Sequence, residues 1–207
     1  MKSEKISSRK LKATETKNKI YETADQLFRE YGFEKVSVDS IVEKAGISKG
    51  AFYVHFDSKD TLLAAYIANY VNKIDLDYQL YLKSFPVNAS ASHIIISLVE
   101  KISDVITYDV GYELIKIAYR IQLDRTIDTN MLLSHNRDIY KIFSSLVDRG
   151  IQQGEFKSET PAELIADHFV MAMRGFTYEW CIRHPSFNLK DQLHQHFEIL
   201  LSGIKKQ

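Results

Sequence analysis

Three Pro and eight Gly are all that interrupt 207 residues. So few obligatory breaks let the backbone run in long helices, and they count against a β-rich fold, which needs many turns. The expected fold is therefore all-α. The length suits one large domain or two small ones with a buried core. With 45 % hydrophobic and 26 % charged residues, the composition is that of an ordinary globular chain and excludes collagen-like or disordered classes. No window holds 18 uncharged apolar residues, so no membrane span is expected. Cys181 is the single cysteine and has no internal disulfide partner, and the opening MKSEKISSRKLK carries no apolar run of a secretory signal. A reducing, cytoplasmic location is expected.

Lys plus Arg and Asp plus Glu number 27 each, a balance that at first argues against a nucleic-acid partner. The zero is a cancellation. Residues 1–70 hold 12 basic and 10 acidic residues, while 71–207 hold 15 and 17. The first 19 residues alone carry seven bases (Lys2, Lys5, Arg9, Lys10, Lys12, Lys17, Lys19) against Glu4 and Glu15. No apolar periodicity precedes Ile20, so residues 1–14 are expected as a basic, flexible arm, open to being either a phosphate contact or a solvated tail.

From Thr14 the pattern is helical: Ile20, Ala24, Leu27, Phe28 and Tyr31 share one stripe, and Gly32 ends it. Val38, Ile41, Val42 and Ala45 form a second, shorter stripe with Ser37 as N-cap and Gly46 as stop. Ser48 caps a third helix from Lys49 to about Phe56, and Asp57 or Ser58 a fourth carrying Leu62, Leu63, Tyr66, Ile67 and Tyr70. Further helices are expected over 89–107, 110–125, 130–153, 161–184 and 189–205, with a domain break near 75.

Two short helices joined by a Gly-containing turn, SVDSIVEKAGISKGAFYVHF, match a helix-turn-helix. Gly46 permits a left-handed turn, and Gly50 with Ala51 leaves the second helix free to approach bases closely. The first turn of that helix, with Ser48, is a place that favours an anion. Lys49, Tyr53, His55 and Lys59 project donors over a length that fits one major groove, and Val54 on the same face suits a thymine methyl.

Residues 15–74 closely resemble the N-terminal domain of the TetR (tetracycline-repressor) family. Ile20, Ala24, Leu27, Phe28, Gly32 and Phe33 match its first helix. The run Val38-x-x-Ile41-x-x-x-Ala45-Gly46-Ile47-Ser48-Lys49-Gly50-x-Phe52-Tyr53-x-His55-Phe56-x-Ser58-Lys59-Asp60-x-Leu62 matches its signature. Ser37 replaces the usual Thr, and Phe52 the usual Leu. The resemblance implies that Tyr53, His55 and Lys59 contact phosphates, that Lys49, Gly50 and Ala51 face bases, and that Ser37 and Ser48 touch the DNA backbone. It also implies a C-terminal bundle, 75–207, holding an effector pocket and a dimer interface. Phe85, Tyr112, Tyr119, Phe169, Met173 and Trp180 are the candidate pocket residues for an apolar or aromatic small molecule. Ile139, Phe143, Leu146, Phe169, Val170, Met173 and Phe176 are the candidate interface, on helices 130–153 and 161–184.

Cys181 with His184, and His194 with His196, lack the further ligands of a zinc site, and no nucleophile motif or phosphate loop is present. No metal, no cofactor and no enzymatic activity are expected. The expected function is a homodimeric, effector-released repressor on a near-palindromic double-stranded DNA operator. The alternative is an adaptor of the same fold that binds another protein, which is disfavoured because the DNA-contacting side chains are present.

Overall fold

In the computed structural model, which describes residues 2–125 and 137–206, nine α-helices follow one another among the described residues, and no strand occurs there. They are α1 (Lys2–Tyr31), α2 (Val38–Ala45), α3 (Lys49–Tyr53), α4 (Lys59–Leu82), α5 (Ala91–Asp104), α6 (Tyr112–Asp124), α7 (Asp138–Gln152), α8 (Ala162–Arg183) and α9 (Leu189–Ile204). A 3-10 turn fills Phe33–Lys35, and a π-helical segment, Val105–Val110, separates α5 from α6. The chain divides into two compact units, 1–67 and 68–207, a division that falls within α4. The fold is all-α, as the scarcity of Gly and Pro predicts.

The first unit packs α1, α2, α3 and the start of α4 around Ile20, Ala24, Leu27, Phe28, Phe33, Ile41, Ala45, Phe52, Leu62 and Leu63, all buried. Tyr31 departs from its expected stripe: it lies at the end of α1 and is exposed. Tyr66, at the far side of this core, donates its hydroxyl hydrogen to the Asp25 carboxylate, whose other neighbour is the Arg29 Nε at 2.8 Å. Residues 2–14, expected as a flexible arm, continue α1 instead. The run up to Gly32 holds no Gly or Pro and is rich in good helix formers. Its threonines turn inward on the helix, with Thr14 Oγ1 donating to the Lys10 carbonyl at 3.0 Å. Residues 10–19 are exposed apart from the half-buried Thr16, so propensity rather than packing supports this part of the helix.

The second unit is a bundle whose core rings, Phe143, Phe156, Phe169 and Phe197, are fully buried. Phe169 lies 5.7 Å from Phe143 and 5.1 Å from Phe197 between ring centres. The turn after α7 is an anchor. The Glu155 carboxylate accepts from the Ala91 and Ser92 amides at 2.8 and 3.2 Å, satisfying free donors at the start of α5. Arg149 donates to the carbonyls of Val87 and Ala89 at 2.7 and 2.8 Å and so holds the loop before α5. Asp75 on α4 is buried against Arg137 at the start of α7, 3.1 Å away. The helices expected over 161–184 and 189–205 match α8 and α9 to within two residues. The first part of the one expected over 130–153 lies outside the described residues.

Candidate nucleic-acid interface

Local sequence builds the helix-turn-helix in three steps. Ser37 starts α2: its hydroxyl accepts from the Ser40 amide at 3.1 Å while the Ser40 hydroxyl accepts from the Ser37 amide, a reciprocal cap. Gly46 ends it in the left-handed conformation, φ 60° and ψ 41°, and the Ile47 amide returns to the Val42 carbonyl at 3.1 Å. Ser48 then starts α3 by accepting from the Ala51 amide at 3.1 Å.

The second helix is shorter than expected: α3 stops at Tyr53, although the chain keeps turning through Phe52-to-Phe56 backbone bonding. Phe52 and Phe56 face inward, 5.8 Å apart, with Tyr21 on the far side of Phe56 at 5.3 Å. That aromatic backing leaves Ser48, Lys49, Gly50, Tyr53 and Val54 exposed and Ala51 and His55 half-buried. Val54, at 79 % exposure, has no packing role in the unit. Of the candidate DNA contacts, Lys49, Gly50, Tyr53 and Val54 therefore lie on the outward side of α3, with Ser48 exposed at its start and Ala51 and His55 half-buried at its flank.

The other two behave differently. Ser37 is exposed, but its hydroxyl is engaged in the cap. Lys59 is half-buried, and its ammonium donates to the carbonyls of Phe33 and Val36 at 2.9 and 2.8 Å while lying 4.1 Å from the Phe33 ring centre. Two of its three N–H groups tie the 33–36 turn to the start of α4, so it is not the free surface cation that a phosphate contact supposes. The Phe33 carbonyl already accepts from the Val36 amide at 3.2 Å, and the ammonium adds a second donor there while serving the Val36 carbonyl at the end of the turn.

Two neighbours of this face were not singled out from the sequence. Asp39, in the first turn of α2, pairs with Lys49 at 2.7 Å, and this carboxylate raises the Lys49 pKa above its ordinary value. Lys17 on α1 lies 5.8 Å from both the Tyr21 and Phe56 ring centres. Its place on the buried stripe's edge, three and four residues before Ile20 and Tyr21, was the available signal.

The bundle packs most of the candidate pocket residues into or against its core, Tyr112 edge-on to Trp180 at 5.9 Å among them. Phe169, Met173 and Trp180 are buried in the core. Tyr112 stacks on His184 at 4.1 Å, Tyr119 donates to the Arg174 carbonyl at 2.8 Å, and Phe85 sits against Tyr81 and His93. None of the six lines the cavity of about 220 Å³ that opens along α4, α5 and the π-helical segment. That cavity is lined by Lys73, Ile74, Asp77, Tyr78, Lys101, Val105 and Asp109, a charged mouth over an apolar floor rather than an aromatic pocket.

The candidate interface fares likewise. Ile139, Phe143, Leu146, Phe169, Val170 and Met173 are all buried inside the single chain, and Phe176 is half-buried against Phe187 and His196. They are consumed by the chain's own core. The apolar residues that α8 leaves outside are Leu164, Met171, Tyr178 and Ile182, with Ile199 on α9. Among the described residues no group of three or more His, Cys, Asp and Glu is placed to hold a metal ion. Burial pushes the Cys181 thiol up to about 11, away from the range of a nucleophilic thiolate. No described helix is long and apolar enough to cross a membrane.

A capped α2, a left-handed glycine turn and an outward α3 on an all-α chain define a helix-turn-helix protein of the transcription-regulator class. Residues 20–66 match the family model of bacterial regulatory proteins, tetR family. This head is a TetR-family DNA-binding domain. Over 152 residues, 73 % of both chains, the protein is 28 % identical to the HTH-type transcriptional regulator YfiR of Bacillus subtilis. The fold matches that of a TetR-family transcriptional regulator from Pectobacterium atrosepticum with a TM-score of 0.77, at 18 % identity, over 95 % of this chain and 97 % of that one. It also matches Thermus thermophilus FadR, a TetR-family repressor solved with lauroyl-CoA, with a TM-score of 0.70 at 15 % identity over 92 % and 96 % of the two chains.

Proposed function

We propose that the protein is a homodimeric transcriptional repressor that holds a near-palindromic DNA operator and leaves it when a small molecule occupies the bundle. The observation that carries this reading is the outward face of α3: Lys49, Gly50, Tyr53 and Val54 are exposed, while Phe52 and Phe56 between and beside them are buried. Small residues and donors on a helix braced from behind by aromatic rings suit a major groove. In this reading Tyr53 and His55 meet phosphates, Lys49, Gly50, Ala51 and Val54 meet base edges, and Ser48 donates to the backbone the hydroxyl hydrogen that its cap leaves free. The arm is residues 1–14, the head 15–74 and the bundle 75–207, acting in the cytoplasm.

Dimerisation is supported by α8. Leu164, Met171 and Tyr178 recur every seven residues, with Ile182 four further on, all exposed. A heptad of outward apolar residues suits a helix that packs on a copy of itself about a two-fold axis. The cavity along α4 and α5, with Lys73, Asp77, Lys101 and Asp109 around Ile74, Tyr78 and Val105, supports a small effector that carries both charged and apolar groups. Such an effector releases DNA only by binding better to the conformation that holds DNA poorly.

Selection of genomic fragments by the full-length protein tests the reading. The expected result is an enriched palindrome, and Tyr53→Ala should weaken binding to that site and to random DNA alike, by roughly tenfold for one lost phosphate hydrogen bond. Recovery of no enriched site overturns it and favours the protein-binding adaptor.

A further inference from the structure

Asp39 has no role in the reading above, yet it holds the side chain that reading places at the bases. Its carboxylate lies 2.7 Å from the Lys49 ammonium, across the turn between α2 and α3, with side chains 71 % and 54 % exposed. Asp39 suits the first turn of α2 by its charge, but that accounts for the carboxylate alone and not for its pairing with Lys49. Ser37 and Ser40 already close the start of α2. Lys49 is the first residue of α3, at the positive end of a helix, where a cation is unfavourable. A solvent-facing ion pair adds little stability of its own. A carboxylate on a face that meets phosphates also repels DNA unless a donor on the DNA compensates it.

Building on the DNA-binding reading of this face, we propose that Asp39 and Lys49 act as one donor–acceptor reader of a G·C base pair. The Lys49 ammonium lies on guanine N7 and O6, and the Asp39 carboxylate accepts from the N4 amino group of the paired cytosine. The major-groove edge of G·C presents two acceptors, N7 and O6, and then one donor, N4–H. The pair offers the complement, a donor group beside an acceptor group, on adjacent exposed side chains. An A·T edge sets its one donor between two acceptors and adds a methyl group, so an ammonium finds no pair of adjacent acceptors there. Asp39 also discriminates by repulsion: over any base that lacks a donor at that place its carboxylate faces acceptors and phosphates alone. Specificity then belongs to the α2–α3 pair, not to α3 by itself. The raised pKa of Lys49 keeps the ammonium charged while the pair is intact.

The experiment is selection from a random duplex library by the full-length protein, its Asp39→Asn and Lys49→Met variants, and the double variant. Asp39→Ser serves as a second charge-removing substitution that still suits a first helical turn. The wild type is expected to select a motif with G·C at one position of each half-site. Asp39→Asn and Lys49→Met should each keep the rest of the motif and lose the G·C preference at that same position, by on the order of tenfold. The double variant should lose no more there than the worse single one. Both Asp39 variants should bind random DNA more tightly than the wild type. A motif unchanged by Asp39→Asn and Asp39→Ser overturns the proposal while leaving the DNA-binding reading intact. So does A·T at the position Lys49→Met alters, or loss at two different positions. No motif from the wild type removes the DNA-binding reading and this one with it.

Discussion

Single residues in this chain carry roles that their types do not announce. Lys59 sits within the signature run and reads as a phosphate contact, yet its ammonium closes the 33–36 turn through two carbonyls of buried residues. Lys59→Met should therefore lower the stability of the head by about 1 kcal/mol, since the Val36 carbonyl loses its ammonium donor while the Phe33 carbonyl keeps the Val36 amide at 3.2 Å. DNA affinity measured at a temperature where the variant is fully folded should change by less than the roughly tenfold expected for Tyr53→Ala. A large affinity loss with an unchanged melting temperature would return Lys59 to the DNA-facing set. Gly150 is a second case. A Cβ built there meets the fully buried Phe156 ring at 2.1, 2.3 and 2.9 Å, so glycine is required by space and not by backbone conformation. Gly150→Ala should displace that ring and destabilise the bundle by about 1–3 kcal/mol, read as a lower denaturant midpoint with an unchanged slope. Nothing in the run DRGIQQG marks one glycine as a packing site and the other as a turn.

At the scale of elements, α4 and α7 are joined by ionisable groups in a place where burial is costly. Asp75 is 4 % exposed and Arg137 20 %, and Gln79 on α4 donates to Asp138 on α7 at 3.1 Å beside them. Burial raises the Asp75 pKa above its ordinary value, and the Arg137 guanidinium pulls it back only in part. The sign of the linkage follows. The folded protein holds this proton more tightly than the unfolded chain, so the contribution is full below pH 3.8 and is lost as pH rises through the raised folded pKa. The difference in unfolding free energy between wild type and Asp75→Asn should fall with rising pH across that window and be flat above it. Arg137→Met, which removes the main opposing charge, should move the window upward; a flat difference throughout would remove Asp75 from the acid-range stability profile. The elements themselves were largely legible. Apolar spacing together with Ser37, Gly46 and Ser48 marked α2 and the start of α3, and α8 and α9 lie where periodicity put them. The π-helical segment 105–110 was not, because an i to i+5 register has no residue signature; at its end the Gly111 amide reaches the Ile106 carbonyl at 3.0 Å. Nor was the use of each apolar face. A stripe such as Phe143, Leu146, Phe169 and Met173 has the same period whether it meets its own chain or a copy, and in this chain the core takes it. The outward exposure of Tyr53 was legible from its place beside the inward Phe52 and Phe56, whereas the ion pair of Asp39 and Lys49, ten residues apart, was not.

For the whole molecule the balanced charge of 27 against 27 bears on how DNA is held. A net of +2 over residues 1–70 supplies little long-range attraction, so affinity rests on placed contacts and on the basic segment at the start of α1. That segment is helical from Lys2, and at 1.5 Å per residue the part ahead of Ile20 is roughly 27 Å long. A helical arm is already ordered, so meeting phosphates costs it less conformational entropy than a flexible one would lose. Deleting residues 2–12 removes Lys2, Lys5, Arg9, Lys10 and Lys12 with only Glu4 on the acidic side. Each phosphate neutralised adds about 0.9 to the slope of log affinity against log salt. If two of the five bases in each arm meet phosphates, the two arms of a dimer contribute about 3.6, and the deletion should flatten the slope by that amount on operator and random DNA alike. The selected motif should stay the same, since the arm carries no base-reading contact in this scheme. Binding isotherms from about 50 to 300 mM salt cover the range over which such a term is resolved. An unchanged slope makes residues 2–12 a solvated tail, whereas a flattened slope with a shortened motif moves the arm from the phosphates into a groove.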